Sequence, residues 1–409
     1  TMKAIEDMRR DLDSGQYGAA IHIGEQLQLA ADEGDENAAP TIRLVNSIIH
    51  RAYTENASDI HLEPTGEKLQ IRMRIDGVLR NIITVPRELQ MSVISRIKIM
   101  AQMDIAQKNI PQDGRINMTV QQETLDLRVS TLPTIHGEKI VIRLLRKDAR
   151  MVTIDGIGLQ GENRRKFLEL LTGTTEGVLL VVGPTGSGKT STLYTMIDQK
   201  KSEEVNLISL EDPVEYHMEG VCQVQINERT DLTFANALRA VLRQDPDIIA
   251  VGEIRDGETA EIAMRAAMTG HLVLTTIHTN DALSSIDRLL DIGVEPYLIS
   301  GAVRGIVSQR LVRKICPRCR QAYTPTQEEA ALLGLPWSEE LKCYRGTGCP
   351  DCFQTGYRGR TAVFEILPVT PEIRRAIHRQ DVKELQEAVN QSTFQPLLAN
   401  CAQLVTQGD

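Results

Sequence analysis

Gly183-Pro184-Thr185-Gly186-Ser187-Gly188-Lys189-Thr190 lies between the apolar run Val-Leu-Leu-Val-Val at 178–182 and Ser191-Thr192-Leu193-Tyr194-Thr195-Met196-Ile197, a stretch of helical character. A strand, a glycine loop and a helix in that order are the context that a phosphate-binding loop requires. Residues without a Cβ let successive backbone N–H groups turn toward one point, and the helix N-terminus behind them adds a favourable dipole. The motif therefore wraps Gly183 through Ser191 around the phosphates of ATP. Lys189 would face the β and γ phosphates, and the Thr190 hydroxyl would ligate Mg²⁺.

From Arg164 onward apolar strands alternate with helical patterns, the order of an α/β fold with a parallel sheet covered by helices. Strands are expected at 178–182, 205–210, 248–251 and 272–276, and in open parallel sheets the ligand crevice lies at the carboxyl ends of the strands. The second strand ends in Glu211-Asp212-Pro213-Val214-Glu215. Three carboxylates there would repel one another unless a cation such as Mg²⁺ sits among them. The third ends in Gly252-Glu253, with glycine where the usual arrangement has a metal-holding aspartate. Metal holding then falls to Thr190 and the acids of the second tip, and Glu253 is the candidate for activating the attacking water. Arg255 and Asp256 read as a local ion pair. The fourth strand is bracketed by His271 and His278; His278 is at the carboxyl end, where a γ-phosphate would lie.

Upstream, residues 38–148 read as a small α+β domain with one antiparallel sheet. Leu69-Gln70-Ile71-Arg72-Met73-Arg74-Ile75 alternates strictly and closes on Asp76-Gly77, a hairpin signature. Arg72, Arg74, Arg115, Arg128 and Arg143 fall on or beside its strands; on their own they read as a solvated sheet face. Residues 149–161, with three glycines, are expected to be a hinge to the domain 162–409. Residues 1–37 carry three Lys/Arg against nine Asp/Glu, two thirds of the chain's net charge of −9, and read as an acidic linker or the remnant of an upstream domain.

Cys316-Pro317-Arg318-Cys319 and Cys349-Pro350-Asp351-Cys352 are separated by 29 residues. Two such pairs in a reducing compartment point to a closed, structural zinc site that staples an excursion at 313–365, ahead of a redox pair or a finger that touches nucleic acid. Cys222, Cys343 and Cys401 read as packing residues or surface thiols. Charged residues are 25% and apolar residues 41% of the chain, as in ordinary soluble proteins. No apolar run approaches the roughly 18 to 20 residues that span a bilayer. A cytoplasmic protein is expected, reaching a membrane only through a partner. The negative charge and the aromatic content of 3% argue against a nucleic-acid motor.

With these segments in hand the chain resembles the secretion ATPase superfamily, within it the assembly ATPases of type II secretion and type IV pili. The resemblance rests on Ala57-Ser58-Asp59-Ile60-His61-Leu62-Glu63-Pro64, Arg74-Ile75-Asp76-Gly77, Gln112-Asp113-Gly114-Arg115-Ile116 and Leu127-Arg128-Val129-Ser130-Thr131-Leu132-Pro133. The phosphate loop, Leu210 to Glu215, Val251-Gly252-Glu253-Ile254-Arg255-Asp256 and the two histidine segments extend it. It implies a RecA-like domain, a smaller PAS-like α+β domain before it and a zinc-stapled insertion. It also implies a homo-hexamer in which the first domain of one subunit covers the nucleotide of the next, so that Arg115, Arg128 and Arg143 reach the γ-phosphate in trans. The implied partner is the platform protein of the inner membrane, and the cysteine element implies assembly in place of pilus retraction.

Overall fold

The computed structural model describes residues 40–120, 123–146 and 153–409, with the backbone of 22–23. The acidic segment 1–37 lies, for the rest, outside the described residues. Two compact units divide at Lys147/Asp148.

The first unit is an antiparallel sheet in the order β1-β5-β6-β7-β2-β3-β4. Its strands are β1 (His22–Ile23), β2 (Ala57–Pro64), β3 (Lys68–Ile75), β4 (Val78–Pro86), β5 (Gln112–Val120), β6 (Glu123–Thr134) and β7 (Gly137–Arg146). Alternation in β3 buries Leu69, Ile71, Met73 and Ile75 while Arg72 and Arg74 point the other way. Both turn residues that close this hairpin have positive φ, 51° at Asp76 and 82° at Gly77, the geometry a two-residue turn between twisted strands demands. Helices α1 (Pro40–Thr54) and α2 (Arg87–Met100) pack on each other and on the sheet through Val45, Ile48, Ile49, Val93, Ile94 and Ile97.

The second unit carries a sheet in the order β10-β9-β11-β12-β8-β13-β16. Strands β8 (Gly177–Val182), β9 (Leu207–Glu211), β10 (Cys222–Gln225), β11 (Ile248–Val251) and β12 (Leu272–Ile277) run parallel with β13 (Val303–Ile315), and β16 (Tyr357–Pro368) pairs antiparallel with β13. Every residue of β8 is buried, because apolar clusters cover both faces of the sheet. The four expected strands are present; the β13/β16 pair was not among them, although β13 is 13 residues long. A two-stranded ribbon, β14 (Arg320–Tyr323) with β15 (Cys343–Gly346), lies between those two strands in sequence.

The segment read as a hinge is divided. Residues 149–152 lie outside the described residues, whereas Ile154, Ile157 and Leu159 are buried in the second unit's core with Phe167 and Leu179. Burial of three apolar side chains ties 153–159 to that core.

Candidate active site and cysteine cluster

β8 delivers the glycine loop to the carboxyl edge of the sheet, and helix α4 (Lys189–Lys200) starts directly behind it, after α3 (Gly161–Gly173). Gly188 caps α4 with φ 90°, a left-handed conformation that glycine adopts without strain. A Cβ on Gly183 would come within 2.5 Å of the Gln309 carbonyl oxygen, so β13 approaches the loop too closely for any side chain there. The loop opens onto a cleft of about 520 Å³ whose wall includes Lys189, Thr190, Ser191, Glu253 and His278.

Lys189 is buried and donates to the carbonyls of Gly183 at 2.8 Å and Pro184 at 3.1 Å. Burial holds its ammonium below the usual lysine range, against the attraction of Glu253. His278 Nδ1 lies 3.4 Å from the Lys189 Nζ, and its Nε2 lies 3.2 Å from a carboxylate oxygen of Glu253. The Nε2–H tautomer satisfies both contacts, accepting from the lysine and donating to the glutamate. The other oxygen of Glu253 accepts from Arg255, which also reaches Asp212 at 3.5 Å. The expected Arg255–Asp256 pair does not form. Asp256 instead accepts from Thr259 N at 2.8 Å and caps the helix Gly257–Met268.

The acids of the second strand tip do not converge on one point. Glu211 is buried, and its oxygens accept from the Tyr194 hydroxyl, from Ser209 Oγ at 2.6 Å and from Gln223 Nε2 at 3.0 Å. Protein donors thus offset the charge that the sequence reading assigned to Mg²⁺. Glu215 is half-buried on the cleft wall. The Thr190 hydroxyl, exposed at the cleft, and the carboxylates of Asp212, Glu215 and Glu253 all line its wall and are the oxygen donor types that Mg²⁺ takes. His271, at the opposite end of β12, bonds to Ala266 O at 2.9 Å.

Sequence reasoning missed Gln309 and Arg310. Gln309 is buried and donates to Ser187 O at 2.7 Å; Arg310 donates to Asn280 O at 3.1 Å. Their signal was the apolar, β-branched run around 303–312, which reads equally as strand or buried helix.

Among the described residues one group has metal-site dimensions: the sulfurs of Cys316, Cys319, Cys349 and Cys352, all within 4.8 Å of one another. Sγ separations of 3.8 Å for Cys316–Cys349 and for Cys319–Cys352 match the edge, about 3.8 Å, of a tetrahedron with Zn–S bonds near 2.3 Å. The N–H groups of Cys349 and Gly356 each point at the Cys352 sulfur from 3.2 Å, which suits a thiolate ligand. The donor set fits zinc.

In the first unit, Arg115, Arg128 and Arg143 occupy directly opposed register positions on β5, β6 and β7, and the row continues to Asp59 and Arg74. The three arginines line an open concavity of about 500 Å³. Arg143 donates to Asp59 at 3.1 Å.

A family model described as type II/IV secretion system protein matches residues 34–409. The chain belongs to the type II/IV secretion system protein family. It is an ATPase of that family. It is 46% identical over 383 residues to type II secretion system protein E of Pseudomonas aeruginosa, covering 94% of this chain and 75% of that one. It is 43% identical over 404 residues to the type II secretion system ATPase E of Vibrio cholerae, covering 99% and 79%. Among solved structures, that of the pilus retraction motor PilT with bound ADP is similar at 29% identity and a TM-score of 0.59, over 88% of this chain and 92% of that chain. The parallel sheet with the phosphate loop at its carboxyl edge is the RecA-like core of this secretion ATPase. No helix among the described residues is long and apolar enough to cross a membrane.

Proposed function

We propose that this secretion ATPase works as a Mg²⁺-dependent homo-hexamer at the cytoplasmic face of the inner membrane. It would drive assembly of pilins or pseudopilins through a membrane platform protein. The observation that carries the reading is Glu253, held at the tip of β11 between Arg255 and His278, with His278 also against Lys189. Lys189 neutralises the β and γ phosphates of ATP. Glu253 orients a water and takes its proton as the new oxygen–phosphorus bond forms and the bond to the ADP oxygen breaks. His278, bonded to both, senses whether the γ-phosphate is present. Glu211 braces α4 through Tyr194, and Glu215 is a further acid of the cleft. Mg²⁺, when bound, draws charge from the phosphate oxygens; Thr190 and the cleft acids would hold it.

The first unit acts as a PAS-like domain whose arginine row, Arg115, Arg128 and Arg143, faces the γ-phosphate on the neighbouring subunit. Three arginines in adjacent register around one concavity suit an anion, and a phosphoryl group in transfer is one. Residues 313–365 form a zinc-stapled insertion, the feature that favours assembly over retraction. The test is the ATPase rate against protein concentration, with Arg128→Ala mixed into wild type. A rate per subunit that rises with concentration and falls on mixing beyond simple dilution supports a composite site. Indifference to both would assign hydrolysis to single subunits.

A further inference from the structure

One buried carboxylate joins the loop that carries His278 to the last helix of the chain. Glu365 lies in β16 and is 3% exposed. One of its oxygens accepts the backbone N–H of Ala282 at 2.7 Å, and the other accepts that of Leu397 at 3.2 Å. These are the first residues of two helices, Ala282–Asp291 and Leu397–Gln407. N–H groups in a first helical turn have no intrahelical partner, so a carboxylate shared between two such ends pins both. Burial raises this carboxyl above the ordinary glutamate range, and the two N–H groups act against that.

Each helix leads somewhere functional. Ala282 is four residues beyond His278, and the connecting segment is held from β13 by Arg310, which donates to Asn280 O. The last helix runs roughly 15 Å at 1.5 Å per residue. Its far end meets the cysteine element: Arg320 donates to Gly408 O at 2.9 Å, and Ile315 N donates to Asp409 O at 2.8 Å. Ile315 and Arg320 immediately flank Cys316 and Cys319. The helix is anchored midway, where Asn163 donates to Asn400 at 2.6 Å. Packed backbone and hydrogen bonds therefore run without a break from the His278 loop to the cysteine cluster.

We infer that Glu365 is a positioning residue that sets the His278 loop and couples the nucleotide state of the cleft to the tetracysteine element through the last helix. The inference rests on the reading of the cleft as the ATP site. A displacement of the loop on engaging a γ-phosphate pulls on Ala282 N, and Glu365 passes it to Leu397 N.

The experiment uses the full chain loaded with zinc. Zinc loss to a chromophoric chelator is timed with and without Mg²⁺ and a non-hydrolysable ATP analogue, whose binding is followed separately by fluorescence. In wild type the analogue is expected to change the release rate about threefold or more, the scale of a coupling near the low end of those between linked sites. Glu365→Gln replaces one acceptor with an NH₂ that faces an N–H; it should abolish this dependence and lower kcat about tenfold with KM little changed. Leu397→Pro removes only the second donor at a position where proline is tolerated, so it should abolish the dependence and keep kcat within about twofold. If the analogue binds wild type and leaves zinc release unchanged, the coupling is overturned. If folded Glu365→Gln protein retains wild-type dependence, Glu365 has no part in it. Should that variant fail to fold, Leu397→Pro decides, and retained dependence there overturns the route. Failure of wild type to bind the analogue would instead sink the reading of the cleft, and the inference with it.

Discussion

Around the phosphate loop charges have complementary neighbours, Lys189 with His278 and Glu253 with Arg255, whereas on the first unit's sheet Arg115, Arg128 and Arg143 stand like beside like. The first arrangement is self-sufficient: each group is oriented by partners from its own unit before any substrate arrives, which is the preorganisation that phosphoryl transfer needs. The second places like charges opposite one another at a cost of a few tenths of a kcal/mol per opposed pair, offset at Arg143 by its bond to Asp59. Further along the same strands the alternative is seen, since Glu63 pairs with Arg72 and with Lys139, both at 2.7 Å. One face of one sheet thus holds a carboxylate met by two cations and a run of three arginines in adjacent register with Asp59 at its end, and the run is the part suited to an external anion.

The comparison can be broken most forcefully at Lys189. Lys189→Ala should remove nucleotide binding and turnover together, by about 10³-fold in kcat/KM, while the first unit's stability is untouched; retained turnover would mean that the cleft is not the site. Glu253→Gln should keep nucleotide affinity within a few-fold and lower kcat by about 10²- to 10³-fold, the range for a general base. A proportionate rise in Kd measured with a fluorescent nucleotide would assign Glu253 to binding instead. A smaller effect is expected at the cysteine cluster. Cys319→Ser, or prolonged chelation, should cost about 2 kcal/mol or more of local stability and open 313–365 to proteolysis, with the phosphate loop still binding nucleotide.

The smallest effect sharpens the contrast within the first unit. Partial burial works to raise the Glu63 carboxyl, but Lys139 and Arg72 overcome it and hold the group below its ordinary range near 4.5. The native state then binds fewer protons than the unfolded one. Its stabilisation is complete above pH 4.5 and is lost as pH falls below it. Glu63→Gln should therefore lower stability by about 1 kcal/mol or less at pH 7, and the difference from wild type should shrink progressively as acid takes the pH below 4.5. An unchanged difference at low pH would show that packing, not charge, is what the substitution removes.

Much of the site was legible because its chemistry is local. The loop Gly183 to Thr190 needs its glycines at fixed offsets, Glu253 follows an apolar strand directly, and the cysteines come in close pairs. The partners of Glu211 were not legible, for the converse reason. The acids Asp212 and Glu215 follow it in sequence, while two of its partners, Tyr194 and Gln223, come from separate elements that only packing brings to it. Arg255 is similar: adjacency pointed to Asp256, but helix capping claimed that carboxylate and left the guanidinium to Glu253.

What the amino-acid order determined alone is the set of periodicities and motifs: a period-two sheet closed by Asp76-Gly77, a parallel α/β core, a phosphate loop and four paired cysteines. Each depends on backbone preferences and side-chain spacing within a few residues, and these act before any tertiary contact forms. Tertiary structure alone decided that the three arginines share one register row, that β13 walls the loop with Gln309, and that Glu365 spans two helix ends 115 residues apart in sequence, from Ala282 to Leu397. Those are relations between distant segments, set by strand order and by the demand that buried polar groups find partners, and no local pattern encodes them.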